Sequence, residues 1–189
     1  MLPRHLEKPI TDDLAEKMVF IAGPRQVGKT TLAQTVGSGR FQGNFRYLNW
    51  DAREDKKRIL AGTYAGSEAL IIFDEIHKYR KWKTFIKGFF DKQRTRYGII
   101  VTGSSRLDVY RKGGDSLLGR YHHYRLHPLS LRELAFKNAP QVRAGHALDF
   151  EDSTPETREA LDRLLKFGGF PEIFLKGTEK ALHRWHNQR

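Results

Sequence analysis

The sequence predicts an α/β protein in which a parallel β-sheet carries helices on both faces. Three apolar segments have the character of buried strands, and a helical pattern follows each of them. Each segment also runs directly into polar or glycine-rich residues. Because the carboxyl ends of parallel strands meet at one edge of a sheet, we expect these residues to converge on one site. The three segments are residues 18–22, 69–73 and 97–101.

The first of these strands leads into a segment with the pattern G-x-x-x-x-G-K-T, which is the Walker A pattern. Its glycines allow a tight turn that presents N–H groups to phosphate oxygens, and the next helix points its positive end at them. Lys29 would reach the β- and γ-phosphates of a nucleotide, and the Thr30 hydroxyl would help to hold Mg²⁺. The predicted nucleotide-binding residues are Gly23, Pro24, Arg25, Gln26, Val27, Gly28, Lys29, Thr30 and Thr31.

The segments around the first two predicted strands carry start and stop signals for helices. Thr11 is placed to cap a short lead-in helix whose first turn is acidic. Gly37 is placed to end the helix that follows the Walker A pattern. Residues 45–49 form the second predicted strand, after which Asp51 would cap a charged helix that Gly62 ends.

The third predicted strand is wholly apolar, as is typical of a central parallel strand, and it ends in Asp74-Glu75. An apolar strand with this ending is the Walker B pattern. Asp74 would bind Mg²⁺ or a water on it, so Thr30 and Asp74 are the predicted metal ligands. Glu75 would polarise the water that attacks the γ-phosphate.

An amphipathic helix follows, and its apolar face is expected to pack on the sheet. The residues of that face recur at helical spacing and are Trp82, Phe85, Ile86, Phe89 and Phe90.

Hydroxyl groups follow the fourth predicted strand. One of Thr102, Ser104 or Ser105 would sense the γ-phosphate or hold the attacking water. The alternative is that Ser104 or Ser105 only caps the next helix, which runs through Leu107 and Tyr110.

A break at Gly113-Gly114 precedes the fifth predicted strand, residues 121–126, which Pro128 stops. Ser130 and Glu133 then form a capping box that opens a helix.

The last third of the sequence predicts a loop and further helices. Residues 138–153 are polar and predict a loop, and Thr154 with Pro155 opens a helix that Gly168-Gly169 ends. Leu161, Leu164 and Leu165 share one face of that helix. Residues 180–189 are helical in pattern and have no stop signal, which favours a fragment of a longer protein.

Composition limits the class of protein. The 189 residues can bury one core with a small appendage, and the absence of cysteine excludes disulfides and Cys-based zinc sites. No apolar run approaches the roughly 20 residues that span a bilayer, and the N-terminus lacks a signal-peptide core. We therefore expect a soluble cytoplasmic protein without a membrane partner.

The charge favours polyanionic partners, because 34 Lys and Arg face 22 Asp and Glu, a formal net charge of +12. The densest clusters are residues 78–83 and 92–96. The first cluster interleaves aromatic rings with cations, as a surface for single-stranded nucleic acid does. The alternative is an ordinary solvated face.

Seven segments in combination resemble the AAA+-type ATPases of bacteria and archaea, in the group whose ATPase core precedes a C-terminal domain of unknown function. The resemblance covers nearly the whole chain. It implies a three-layer P-loop NTPase fold with a five-stranded parallel sheet in the order 5-1-4-3-2. It also implies a core over residues 1–128, a truncated helical lid over 129–189, and a missing C-terminal domain. The segments are residues 23–32, 47–51, 70–78, 101–105, 117–120, 128–134 and 168–172.

The resemblance also implies roles for single residues. Lys29 and Thr30 match the Walker A pair, Asp74 and Glu75 match Walker B, and residues 102–104 match the sensor. With Arg120 and the hydroxyls of the sensor, the expected catalytic set is Lys29, Asp74, Glu75, Thr102, Ser104 and Arg120.

Arg120 falls where related proteins carry an arginine finger, which acts on the nucleotide of a neighbouring subunit and so implies a homo-oligomer. The alternative is a surface arginine that opens a strand. One departure from the family concerns the lid, because Glu172 follows the Gly-Gly-Phe-Pro turn where many relatives place a sensing arginine in the second lid helix.

The expected function is hydrolysis of ATP with Mg²⁺, which would drive a conformational change in a partner or appended domain. The alternatives are a nucleotide-gated switch with little turnover, a DNA- or RNA-associated ATPase, and a small-molecule phosphotransferase. GTP is disfavoured because the Asn-Lys-x-Asp pattern of guanine sites is absent. The histidines are expected to be solvated or packed rather than metal ligands.

Overall fold

The structure is a computed structural model that describes residues 2–62, 66–104, 117–135 and 154–187. The chain divides into two compact units. The first unit comprises His5–Leu126, and the second joins the residues up to Arg4 to those from His127 onward.

Within the described residues, the first unit is built on five parallel strands in the order β2-β3-β4-β1-β5. This is the predicted order 5-1-4-3-2 counted from the other edge, so the predicted fold class is confirmed. The strands are β1 Met18–Ala22, β2 Phe45–Asn49, β3 Leu70–Asp74, β4 Gly98–Gly103 and β5 Tyr121–Arg125.

The sheet is the middle of three layers because its central strands are buried on both faces. Along β1, Phe20 contributes to the hydrophobic cluster on one face, whereas Val19 and Ile21 contribute to the cluster on the other. Helices α3 and α4 cover the first cluster, and α1 and α2 cover the second. Their bounds are α1 Glu7–Asp13, α2 Lys29–Gly39, α3 Arg53–Ala61 and α4 Trp82–Gln93, with a 3₁₀ helix at Ile76–Lys78 between β3 and α4.

The predicted apolar face of α4 is confirmed. Ile86, Phe89 and Phe90 are buried, and the rest of that face packs against the same cluster. Phe73, at the centre of the cluster, meets the ring of Phe89 edge-on with the ring centres 5.3 Å apart.

The structure corrects two predicted helix boundaries in the first unit. Thr11 lies inside α1 and its hydroxyl donates to the carbonyl of Glu7, because the buried pair Ile10 and Leu14 sets the helix earlier in the chain. Gly37 lies inside α2, which continues to Gly39. A β-carbon at Gly37 would lie 2.5 Å from the ring of Phe45, so this glycine permits close packing rather than a helix end.

The predicted cap of α3 is also corrected. Ala52 occupies the N-cap position, and the carboxylate of Asp51 instead pairs with Lys78. Gly62 ends α3 in the left-handed conformation, as predicted.

The second unit is helical over its described residues. The predicted capping box is confirmed, because the Ser130 hydroxyl accepts from the Glu133 N–H at 3.2 Å and the Glu133 carboxylate accepts from the Ser130 N–H at 3.1 Å. Arg4 pairs with the same glutamate at 2.8 Å. The helices are α5 Leu131–Ala135, α6 Pro155–Phe167, α7 Pro171–Lys176 and α8 Glu179–His186.

Helix α6 begins as predicted, with the Thr154 hydroxyl accepting from the Thr157 N–H at 3.2 Å. Arg163 links α6 to α7 by donating to the carbonyl of Phe174 at 2.8 Å. Of the predicted leucine face, Leu161 and Leu165 are exposed. The second unit remains a predicted lid.

Some predictions lie outside the described residues, and these are the helix through Leu107 and Tyr110, the Gly113-Gly114 break, Ser105 and the loop 138–153. None of the helices formed by the described residues is both long and apolar enough to cross a membrane.

We expect Phe73→Ala to lower the free energy of unfolding by about 3–5 kcal/mol, because it empties a fully enclosed site between β3 and α4. Urea denaturation would measure the change. The matched control is Leu60→Ala on α3, where the side chain is 55% exposed and the expected change is about 0.5 kcal/mol. Equal losses in both variants would contradict the assignment of Phe73 to the core.

Candidate functional site

The segment between β1 and α2 makes a tight bend. Gly28 at the N-cap of α2 and Gln26 both have positive φ, 95° and 63°. Val27 is fully buried between them and anchors the bend to the sheet. Gly28 has no side chain with which to cap α2, so the first N–H groups of the helix remain available as donors.

Gly23 begins this bend where only glycine fits. A β-carbon there would lie 2.4 Å from the carbonyl oxygen of Leu126, the residue after β5. The N–H of Leu126 in turn donates to the Ala22 carbonyl at 2.7 Å. The close approach of these two backbones fixes the entry to the bend.

Lys29 is the first residue of α2, and its ammonium points back into the bend. It donates to the carbonyls of Pro24 at 2.7 Å and Gly23 at 3.2 Å. Burial lowers the pKa of Lys29, and the carboxylates of Glu75 and Asp74 oppose that shift. The lysine therefore lies within electrostatic reach of both acidic residues.

Asp74, at the end of β3, is buried and accepts hydrogen bonds from three hydroxyl groups. Thr30 donates from α2 at 2.9 Å, Tyr47 donates from β2 at 2.6 Å, and Thr102 donates from β4. Burial raises the pKa of Tyr47, and so does its hydrogen bond to Asp74, so the phenol remains a proton donor. The carboxylate thus joins three elements at the carboxyl edge of the sheet.

The donor set at Asp74 fits Mg²⁺. This ion prefers hard oxygen ligands and takes few of them from protein, because water and phosphates supply the rest. The Thr30 hydroxyl and a carboxylate oxygen of Asp74 are 2.9 Å apart and lie beside the bend. Among the residues that the structure describes, His, Cys, Asp and Glu form no cluster of three or more that could hold a metal ion.

Glu75 follows Asp74 with a left-handed backbone, φ 57°, and its N–H donates to the Thr102 carbonyl at 3.0 Å. Its carboxylate lies 3.4 Å from the Lys78 ammonium and 3.7 Å from Nε2 of His77. The hydrogen bond with Asp51 raises the pKa of Lys78, so this cation stays charged between two carboxylates.

The two predicted sensor residues that the structure describes have different surroundings. The Thr102 hydroxyl is fully buried and donates a hydrogen bond to Asp74. The Ser104 hydroxyl is partly exposed and lies 3.4 Å from Nε2 of His77. Ser104 is therefore the better placed of the two to meet a ligand.

Arg120 is not brought together with the other predicted site residues of its own chain. It precedes β5, whose first residue pairs with Met18 at the amino edge of the sheet, whereas the bend follows Ala22 at the carboxyl edge. Its guanidinium binds both carboxylate oxygens of Asp91, at 2.7 and 3.1 Å. The role of Arg120 toward a neighbouring subunit remains a prediction.

Sequence reasoning did not identify Tyr47, His77 or Lys78 as site residues. The i, i+3 spacing of Glu75 and Lys78 was a usable signal for the ion pair. Tyr47 becomes significant only once β2 is known to lie beside β3, because the pairing brings its ring to Asp74.

Comparison with protein families gives a match to the family described as AAA domain, over residues 15–135. The match covers both units only in part but includes all the site residues described above.

Curated relatives are longer than this chain. An uncharacterized protein of Methanocaldococcus jannaschii is 29% identical over 178 residues, which cover 88% of this chain and 38% of the relative. An uncharacterized protein of Mycobacterium tuberculosis is 25% identical over 171 residues, which cover 90% of this chain and 33% of the relative. The chain therefore spans about a third to two fifths of these relatives' length.

Solved structures share the fold. AMPPCP-bound DnaA from Aquifex aeolicus superposes with a TM-score of 0.56 at 15% identity, covering 97% of this chain and 63% of that chain. The Aeropyrum pernix ORC1 protein in complex with DNA gives 0.52 at 15% identity, covering 100% of this chain and 65% of that one. The Thermotoga maritima RuvB Holliday junction branch migration motor gives a TM-score of 0.50 at 19% identity. The match covers 94% of this chain and 69% of that chain.

The environment of His77 predicts a pH dependence of stability. Burial lowers the pKa of His77 in the folded protein, and the Glu75 carboxylate only partly opposes this shift. The unfolded chain therefore binds the proton more readily. The stabilisation is complete above about pH 6.5, the pKa of an unperturbed histidine, and is lost as pH falls toward the lowered folded value.

We therefore expect the difference in Tm between the wild type and His77→Gln to shrink as the pH is lowered from neutral, as followed by thermal unfolding. His183→Gln, on the exposed side of α8, is the matched control and should parallel the wild type. A His77→Gln profile that also parallels the wild type would contradict the assignment of a half-buried, neutral imidazole.

Proposed function

The chain belongs to the AAA domain family, and from this premise we propose that it binds ATP with Mg²⁺ and hydrolyses it to ADP and phosphate. The hydrogen bond from Thr30 to Asp74 supports this proposal most directly. It joins the glycine-rich bend to the acidic strand end, which are the two parts that a triphosphate and its metal ion need.

The bend would bind the phosphates. The N–H groups at the start of α2 and the Lys29 ammonium offer donors and positive charge to the β- and γ-phosphates. Lys29 now donates to carbonyls of its own loop, so it would exchange neutral acceptors for anionic ones. Charge-assisted hydrogen bonds are about twice as strong as neutral ones, which favours the exchange.

Thr30 and Asp74 would hold Mg²⁺. The ion, when bound, would neutralise charge on the phosphate oxygens and so assist departure of ADP. Thr102 and Tyr47 would keep the Asp74 carboxylate in place through the hydrogen bonds described above.

Glu75 would orient a water for in-line attack on the γ-phosphorus and accept its proton. The bond from phosphorus to the bridging oxygen then breaks, and ADP leaves with that electron pair. Ser104 would hold the water or contact the γ-phosphate. Lys78 and His77 lie beside the Glu75 carboxylate and would control where it points.

A second function is a nucleotide-gated switch with little turnover. The contact of Lys78 with Glu75 at 3.4 Å favours it, since a carboxylate held toward an ammonium is less free to turn toward a water. In either case we propose that the nucleotide drives a conformational change in a partner or an appended domain. The greater length of the curated relatives is consistent with such a domain.

We expect Lys29→Ala to weaken ATP binding by about two orders of magnitude or more, because it removes the buried cation that faces the phosphates. Glu75→Gln should leave ATP binding intact and lower turnover by about 10²–10⁴-fold, because it removes the proton acceptor. Isothermal titration would measure binding, and phosphate release would measure turnover.

Glu16→Gln, which changes an exposed glutamate before β1, is the control for Glu75→Gln and should retain wild-type turnover. Circular dichroism would verify that Lys29→Ala is folded. Equal turnover by the wild type and both site variants would contradict hydrolysis at this site. Wild-type binding with negligible turnover would favour the switch.

We expect Tyr47→Phe to raise the Mg²⁺ concentration needed for tight ATP binding by about tenfold or more, because it removes a hydrogen bond that orients a metal ligand. Binding of a fluorescent ATP analogue at a series of Mg²⁺ concentrations would measure this. The control is Tyr124→Phe on β5, where the phenol donates at 2.5 Å to Asp13, a carboxylate outside the site. The same shift in both variants would argue against a specific role for Tyr47.

A further inference from the structure

The segment that contains α4 carries most of the chain's excess positive charge. Residues 78–96 contain eight Lys and Arg and a single acidic residue, Asp91, so they supply +7 of the formal +12. The inner face of α4 is apolar and packs on the sheet. The cations of α4 therefore occupy its outer half.

Three of these cations form a row. Lys83, Lys87 and Arg94 are separated by four and seven positions, which fall on one side of a helix. The row is about 16 Å long at 1.5 Å per residue. We call these three residues the basic ridge.

The acidic residue beside the ridge is already paired. Asp91 binds the guanidinium of Arg120 through both carboxylate oxygens. This hydrogen bonding lowers the pKa of Asp91, and the charges of Lys87 and Arg94 lower it further, so both ridge cations lie within electrostatic reach of the pair. Arg120 thereby cancels the negative charge that would otherwise interrupt the ridge.

No carboxylate within the described part of the chain forms an ion pair with Lys87 or Arg94. Lys92, on the same helix, is likewise without one there. Lys87, Lys92 and Arg94 are exposed or half-exposed and have no carboxylate partner in the described part of the chain. Such a group favours a binding partner that supplies several negative charges at once.

Tyr79 and Trp82 of this segment pack against other aromatic rings. This packing distinguishes single-stranded from double-stranded nucleic acid as the partner. Tyr79 stacks on Trp50 with the ring centres 4.7 Å apart, and Trp82 packs against Phe20 at 5.9 Å. Single-stranded nucleic acid is held largely by stacking of bases on exposed rings. The sequence offered a stacking surface at residues 78–83 only as one alternative, and the packing of these two rings leaves the cations alone for recognition.

We propose that the basic ridge binds the phosphate backbone of double-stranded DNA without reading its sequence. At 3.4 Å per base pair, the length of the ridge matches about five base pairs. Ammonium and guanidinium groups supply charge along this length. The wide major groove of B-form DNA lets a straight helix approach the bordering phosphates, whereas the major groove of duplex RNA is deep and narrow.

The test is binding of a short fluorescein-labelled DNA duplex to the full chain, followed by anisotropy without nucleotide from about 50 to 200 mM salt. Three phosphate contacts predict a slope of log K against log salt of about −3. Lys87→Ala combined with Arg94→Ala should change the slope from about −3 to about −1 and weaken binding at low salt. The double variant Lys87→Gln and Arg94→Gln, which keeps longer side chains, should behave in the same way.

The control is Arg53→Ala combined with Lys57→Ala on the exposed surface of α3, which removes the same charge elsewhere. An equal loss of binding in this control would overturn the ridge as the site. Equal or tighter binding of single-stranded DNA, duplex RNA or polyglutamate would overturn the choice of duplex DNA. Because Lys29→Ala should bind the duplex as the wild type does, failure of the ATPase proposal would leave this result unaffected.

Discussion

The site depends on one buried carboxylate and the hydroxyl groups that face it. Asp74 takes hydrogen bonds from Thr30, Tyr47 and Thr102, which lie on α2, β2 and β4. A buried carboxylate is costly unless it is hydrogen-bonded, so these contacts stabilise the fold and also fix how its elements meet. All three donors are neutral hydroxyl groups, so none of them forms an ion pair with the carboxylate. The geometry of the bend and the stability of the sheet are therefore linked through the same residue.

Helix α4 shows how one element can serve two purposes. Its apolar residues enclose Phe73 and complete one face of the core, while its outer residues carry charge. The two faces are independent because the helical period separates them. Changes on the outer face can alter what the surface attracts without disturbing the packing beneath.

The strands and the meeting of their carboxyl ends could be predicted from the sequence, because both follow from local patterns. The prediction that Gly23, Asp74 and Thr102 lie close together needed only one rule, which is that the carboxyl ends of parallel strands meet at the same edge of a sheet. The strand order came from the resemblance to a family rather than from periodicity. The lead-in helix was misplaced because burial of Ile10 and Leu14 outweighed the capping preference of Thr11.

Contacts between residues distant in the chain could not be predicted in the same way. Asp51 was expected to cap α3, yet it pairs with Lys78, which is brought near only when the strands assemble. Tyr47 acquires its role from the β2–β3 register, and a single sequence does not give that register. Nor did the sequence reveal that Asp91 would hold Arg120.

The left-handed backbone at Glu75 has an evolutionary consequence. This conformation is disfavoured for a residue with a β-carbon, and glycine or asparagine would adopt it at lower cost. In this chain, glutamate therefore occupies a position whose backbone conformation favours other residues. We expect a library of variants selected for heat resistance alone to lose glutamate at this position. Such variants would lose the carboxylate and gain a less strained backbone.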